Sequence, residues 1–547
     1  MRKWLAETHG PTFELLRHFL ARFFDSDLVT SPGQTAAALI GSSTMFLTWF
    51  PFFTGPIKDK YARLTALGSP RAYRTALRAD ELWLIVMMMS AIGLLTAIQW
   101  QRLFPSLADY RAIGWMPVRT RQIFGAKLAA LLIVASGAAL VLNLPPALGF
   151  PMLSGSSVRA TLAALIAASY FIFFALVAIR GALLNLRTAG SVQSVLAAAL
   201  VIALVLSFSI GPQFARAVTR PEIARWFPPV WFLGFCQAMA GDPDPAMHAL
   251  ARRAMMALAA AIALALAAFA VSYRRHRKLT MEGAPAGRRE RRWRGALFDW
   301  LAPNPREQAV VVFLARGFAG NGPHRMILMG YAGFGLAVLA SGAIGMMGLV
   351  DREHAMAARF VYAHVVLLAF LLIGLRHLFA IPLELKANWM FQLTEREGRR
   401  AWMGAMDCVA LTGGVAALVA MPFPLEARLL GWRAVGEVLL FAAFALASYE
   451  AAFASWDKLP FTCSYLPGKR PMWMLALRLF ALLAALPLVN ALLVECLYNR
   501  VLFLVLFGLL MGIRWRARRS RRQGWTEMRL KYEEAPDAAI EGLKLLR

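Results

Sequence analysis

Four carboxylates stand where carboxylates are expensive. Asp407, Glu437, Glu450 and Glu495 fall inside or between long apolar stretches, and Arg180 and Arg478 are possible opposite charges in similar settings. An ionised side chain at mid-bilayer costs about 3 kcal/mol or more, so such residues face a bundle interior, a partner charge or water. The chemistry open to them is proton or ion binding, and a proton-coupled carrier needs at least one such acid in a water-accessible cavity. A plainer role competes for Arg180, Asp407 and Glu450, which lie near span ends: they snorkel or cap. For His364, within a span, packing or an interhelical hydrogen bond is the simpler role and transport the sharper one.

Other chemistries lack their residues. Gly468-Lys469 has neither the glycine loop before it nor the Ser/Thr after it that a Walker A motif needs to hold phosphate and magnesium. There is no HExxH, CxxC or GxSxG pattern. Cys236, Cys408, Cys463 and Cys496 stand singly, forming neither a disulfide framework nor a metal cluster. No catalytic residue, metal ligand or resident cofactor is expected, and the chain is not read as an enzyme.

The elements that must position the buried acids are membrane helices. The 547 residues are 59% hydrophobic and 16% charged, whereas soluble domains carry about 25% charged residues. Several apolar runs reach the roughly 20 residues that cross a bilayer. The net charge of +28 raises nucleic acid as a partner. Its placement at span ends fits anionic lipid instead, and no nucleic-acid-binding motif accompanies it. The reading is an all-α polytopic membrane protein with about twelve transmembrane helices in two six-helix halves.

Residues 1–33 form an N-terminal amphipathic or interfacial segment, in which Phe13, Leu16, Phe19, Leu20, Phe23 and Phe24 oppose Arg17, His18 and Arg22. The apolar core that a cleaved signal peptide requires is missing there, so none is expected. The first block, 34–272, has spans near 35–54, 81–99, 127–149, 159–179, 191–211 and 250–272. Pro228 and Pro229 interrupt 221–237, which reads as re-entrant or surface-lying. A basic cytoplasmic connector, 273–324, leads to the second block, 325–513, with spans near 325–350, 357–380, 402–422, 431–452, 472–494 and 496–513. The boundary at Glu495 is the least secure. A basic cytoplasmic tail, 514–547, completes the chain.

Lys and Arg gather on one side of this arrangement, which places both termini in the cytoplasm. The exception is 55–79, where Lys58, Lys60, Arg63, Arg71, Arg74 and Arg78 fall on the opposite side. Each half also has a long loop after its second span, 100–127 and 376–404, and Leu103-Phe104…Trp115-Met116 echoes Leu378-Phe379…Trp389-Met390. Chance similarity in a Leu-rich chain competes with an internal repeat.

Together these features resemble the permease subunits of the ABC-2 type exporters, here in a fused or duplicated twelve-span form. The strings that carry the likeness are Leu103-Phe104-Pro105, Asp109-Tyr110, Met116-Pro117-Val118, Ile123-Phe124 and Lys127 in the first loop, then Pro228-Pro229-Val230-Trp231-Phe232. The second half adds Pro382, Glu384, Ala387-Asn388-Trp389 and Phe391, and the run from Leu459 to Gly468. The resemblance implies a transport subunit of a bacterial inner membrane, driven by a separate ABC-type ATPase, itself a homodimer, that holds the ATP and Mg. The two loops would be its contacts. Arg102, Leu103, Phe104, Asp109, Tyr110, Arg111 and Trp115 would serve in the first, and Phe379, Glu384, Lys386, Trp389 and Phe391 in the second. Anchoring to lipid is the alternative role for both loops, and a proton- or ion-coupled secondary transporter is the alternative for the chain.

Overall fold

The computed structural model describes residues 11–21, 57–104, 119–183, 189–210, 226–282, 304–345, 352–381, 388–462, 472–527 and 530. These are helical almost throughout, with no strand among the described residues. The chain divides into two compact units, Met1–Arg288 and Arg289–Arg547, so the boundary falls inside the basic connector. Among the described residues, seven helices are long and apolar enough to cross a membrane. Three shorter apolar stretches accompany them, Val192–Leu204, His324–Ala340 and Ala484–Tyr498. The expected first span, 35–54, lies outside the described residues.

Unit 1 contains α1 (11–21), α2 (57–66), α3 (Pro70–Ile98), a 3₁₀ turn at Trp100–Arg102, α4 (Thr120–Ser154), α5 (Val158–Leu183), α6 (Ala189–Ile210), α7 (Pro228–Met239) and α8 (Pro245–Glu282). Its axis is α3. The apolar window of α3 is 72% buried against 22% for those of α4 and α8. From Ala79 to Ser90 every residue of α3 is buried, which marks a helix surrounded by others rather than one with an apolar stripe. α5, α6 and α7 pack around it.

Two stretches of unit 1 differ from the sequence reading. The basic segment 55–79 is not an open loop: α2 and the start of α3 occupy most of it, joined through a turn at Gly68, whose φ of 60° suits glycine. The second is Pro228-Pro229, which opens α7 instead of interrupting a helix. A proline in the first turn loses no intrahelical hydrogen bond. The resulting 12-residue helix is too short to span and is mostly buried. α4 also runs through Pro145 and Pro146 to Gly155, whose φ of 71° closes it.

Unit 2 contains α9 (Pro305–Gly320), α10 (Gly322–Gly345), α11 (Arg352–Phe379), α12 (Asn388–Ala410), α13 (Phe423–Leu430), α14 (Arg433–Phe453), α15 (Met472–Tyr498) and α16 (Arg500–Glu527). A π-helical stretch at Leu411–Ala416, containing Gly413-Gly414, continues α12 to Ala420. α9 lies in what reads as a featureless connector. Asn304 caps it, its side-chain oxygen accepting from Arg306 N at 3.1 Å, and Pro305 starts it. Val310, Val311 and Leu314 then enter the unit's core beside Met403 and Met406. The last break falls at Asn499, which caps α16, accepting from Val501 N at 3.1 Å and Leu502 N at 3.3 Å. Glu495 is thus an exposed residue inside α15 and not the boundary.

Candidate functional site

The loop after α3 is held at both ends by its own unit. Trp100, Leu103 and Phe104 are buried with Phe124, Phe173, Phe174, Val177 and Phe269. The Phe104 and Phe269 rings stack at 4.5 Å. Beneath them α5 and α8 approach closely at Gly181, where a Cβ would land on the Cβ of Ala268. On the far side of the loop, Leu15 and Phe19 of α1 pack on Ile123, Ala126 and Ala130 of α4. The Lys127 ammonium sits 4.9 Å from the centre of the Phe19 ring. Leu103 and Phe104, expected to face a partner, are therefore core residues. Arg102 is half-buried, and Asp109, Tyr110, Arg111 and Trp115 lie outside the described residues.

The second loop is held the same way. Leu378 and Phe379 are fully buried, and Phe461 N donates to Phe379 O at 3.0 Å. Phe461 has a φ of 68°, a left-handed backbone that a bulky residue rarely adopts. Its ring meets those of Phe379 and Phe318 at 6.0 and 5.4 Å. Beyond the loop, Phe391 packs between Phe313 and Trp402. Phe379 is therefore also a core residue, whereas Trp389 is 61% exposed. Glu384 and Lys386 lie outside the described residues.

Two of the intramembrane acids meet one arginine. Arg521 of α16 pairs with Asp407 of α12 and, at 2.9 Å, with Glu450 of α14. Tyr449 OH donates to Asp407 Oδ1 at 2.7 Å, and the guanidinium lies over the Tyr449 and Trp525 rings. All three charged residues are buried. Asp407 and Glu450 thus neither snorkel nor cap; they hold the tail helix against the bundle. Arg180 stands 5.8 Å over the Trp100 ring. The side chain of Arg478 lies outside the described residues.

The third acid, Glu437, belongs to a different group. α13 and α14 form a hairpin through Gly431, and this sets Glu426 and Glu437 on either side of His364 from α11. His364 Nε2 is 3.3 Å from Glu426 Oε1, and Nδ1 is 3.4 Å from Glu437 Oε1. Their side chains are 3%, 0% and 1% exposed, and the imidazole stacks on Phe441 at 4.4 Å. Neither ring nitrogen and none of the four carboxylate oxygens has a hydrogen-bond partner. One ligand atom from each residue lies within 4.8 Å of the others, so the group could hold a metal ion. Sequence reasoning expected no metal ligand and passed over Glu426. The available signal was Gly431, a turn residue lying between the two glutamates in the chain, which folds them toward each other.

Unit 1 buries acids at one end of α3. Asp80 accepts from Lys60 Nζ at 2.7 Å and from Tyr61 OH at 2.8 Å. Burial, then the Asp80 carboxylate, push the Tyr61 phenol well above its ordinary value. Glu81 accepts from Gln237 of α7. Arg78 binds Asp242 at 2.6 Å and Asp244 at 3.1 Å. Burial alone would raise Asp242, but the hydrogen bond and charge of Arg78 outweigh it and hold the carboxyl below 3.8. Two of the six basic residues in 55–79, Lys60 and Arg78, are therefore paired with carboxylates.

Comparison with protein-family models, with curated proteins and with solved structures returned no match.

Proposed function

We propose that this chain is the membrane-spanning permease of an ABC-type exporter, moving or extracting a substrate of unknown identity with energy from a separate ATPase homodimer. The observation that carries the reading is the anchoring of both loop bases. A force on 105–118 passes into α3 and α4 through Leu103, Phe104, Ile123 and Phe124, which are buried in unit 1. A force on 382–387 passes into α11 and α12 through Phe379, Phe391 and Trp402. A close-packed interior transmits displacement rather than absorbing it. Loops that only rest on lipid have no need of such bases.

The proposal includes about twelve spans in a bacterial inner membrane, with both termini cytoplasmic. Seven long apolar helices and three shorter ones support that number, with 35–54 and the apolar first half of α16 as the remainder. ATP and Mg then belong to the partner. A second reading, proton- or ion-coupled carriage, is favoured by the buried His364, Glu426 and Glu437.

Reconstitution separates the two. The permease purified with its partner ATPase in liposomes is expected to move substrate only with ATP and Mg. Transport driven by a proton gradient without nucleotide would reverse the assignment.

A further inference from the structure

We propose that His364, Glu426 and Glu437 form a binding site for one divalent transition-metal ion of the zinc class, which ties α11 to the α13–α14 hairpin. Three observations converge on it. The first is donor type: one imidazole nitrogen and two carboxylates suit zinc and its neighbours better than magnesium, which keeps its waters.

The second is geometry. Ligands about 2.1 Å from a tetrahedral ion stand roughly 3.4 Å apart. One ion takes one imidazole nitrogen: at Nε2 it has Glu426 Oε1 already 3.3 Å from that atom, while Glu437, which here faces Nδ1 at 3.4 Å, must swing toward the same edge of the ring. All three ligand atoms lie within 4.8 Å, so closing on an ion takes a side-chain shift of about 1 Å. Phe441, one turn after Glu437 on α14, stacks on the imidazole and fixes its plane.

The third is charge. Two carboxyl groups face a single imidazole, and all six polar atoms are buried without a hydrogen-bond partner. Buried charge persists when it is paired or coordinates a metal. A divalent ion on a neutral imidazole and two carboxylates makes the cluster neutral. Glu437 also lines an apolar pocket with Val361, Leu440, Phe441, Leu493 and Leu497.

The ligands sit where a staple would act. Helix α13 is only 8 residues long and follows the π-helical interruption of α12, so little regular hydrogen bonding fixes it. A metal joining Glu426 to His364 and Glu437 would fix it to two long helices, because binding energy at such a site adds to folding.

The test uses the full chain in detergent, stripped with EDTA and then titrated with Zn²⁺, Mn²⁺ or Mg²⁺, with metal content read by mass spectrometry after desalting. About one zinc per chain is expected, with a rise in melting temperature, while Mg²⁺ gives neither. Glu426→Gln, Glu437→Gln and His364→Asn should each weaken zinc binding by at least about 100-fold, more than the loss of an outer-shell partner costs. Glu495→Gln, on the exposed face of α15, should leave it unchanged. A triple variant, His364→Phe with Glu426→Met and Glu437→Met, removes both the charge and the site. It should fold without metal and show no zinc-dependent melting, so loss of binding is not confused with loss of fold. Zinc bound equally by Glu437→Gln and Glu495→Gln would overturn the proposal. So would a wild-type chain that binds no zinc and melts identically with and without it, which would leave protons as the neutralising charge.

Discussion

Replacing Arg521 with Met should destabilise unit 2 more than any other single change to the tail. The guanidinium is 4% exposed and faces Asp407 at 10% and Glu450 at 3%. At 2.9 Å the Glu450 pair alone has a gross attraction of about 6 kcal/mol at an effective dielectric of 20. Desolvating the three groups offsets much of this, so the intact network contributes little net stability. Removing only Arg521 is different, because both acids stay buried and lose the cation that contacts them, while Tyr449 OH remains on Asp407. Breaking a buried pair this way costs about 3–5 kcal/mol. The melting temperature in detergent should fall by on the order of 10 °C. Arg516→Met, at an exposed position on the same helix, should cost less than about 0.5 kcal/mol. The variant Asp407→Asn, Glu450→Gln, Arg521→Met neutralises all three groups and keeps an acceptor for Tyr449. It should recover most of the loss. If Arg521→Met matches Arg516→Met, or the triple variant melts no higher than the single, the account of the tail is wrong.

Other expectations follow from the packing. A Cβ at Gly234 would strike the Cβ of Leu250 and stand 2.8 Å from Met247 O, neither of which is a flexible side-chain end. Gly234→Ala should therefore cost about 1–3 kcal/mol in thermal melts, and Gly508→Ala, with open space around it, almost nothing. Phe104→Ala should cost about 3–5 kcal/mol by opening the core under the first loop. It should also lower transport per ATP hydrolysed. Asp242 is held below 3.8 by Arg78, so its contribution to stability is present above that pH and is lost as pH falls through the depressed value. Melts from pH 6 down to pH 3 should show this acid-side loss in wild type and not in Asp242→Asn.

The helical membrane class was legible because it rests on composition and run length alone. Two helix starts of ordinary type, Ser69 before Pro70 and Asn304 before Pro305, were missed because they lie in basic stretches that read as a loop and a connector. Pro228-Pro229 did exclude a continuous span, but a proline pair both ends one helix and begins another, and sequence alone does not say which. The connector hid α9 because its basic flanks outweigh the few apolar residues that it buries. The functional clusters were the least legible. Arg521 is 114 residues from Asp407, and no local pattern links a tail arginine to a mid-chain acid. Glu437 was visible as a costly residue, but its partners were not. His364 comes from another helix, and Glu426 lay in what reads as a turn. Leu103-Phe104 and Phe379 stood out for their type, and burial assigns them to the bases of the loops rather than to their exposed parts.

The central claim is that an ATPase pushes on these loops. A photo-crosslinking amino acid placed at Tyr110, at Trp389 and, as a control, at exposed Leu67 of the full chain in native membranes tests it most directly. Tyr110 and Trp389 should each yield an adduct with a Walker A-containing protein, identified by mass spectrometry and altered by ATP, and Leu67 should not. Adducts with lipid alone at both loop positions, in membranes where the chain is active, would contradict the claim.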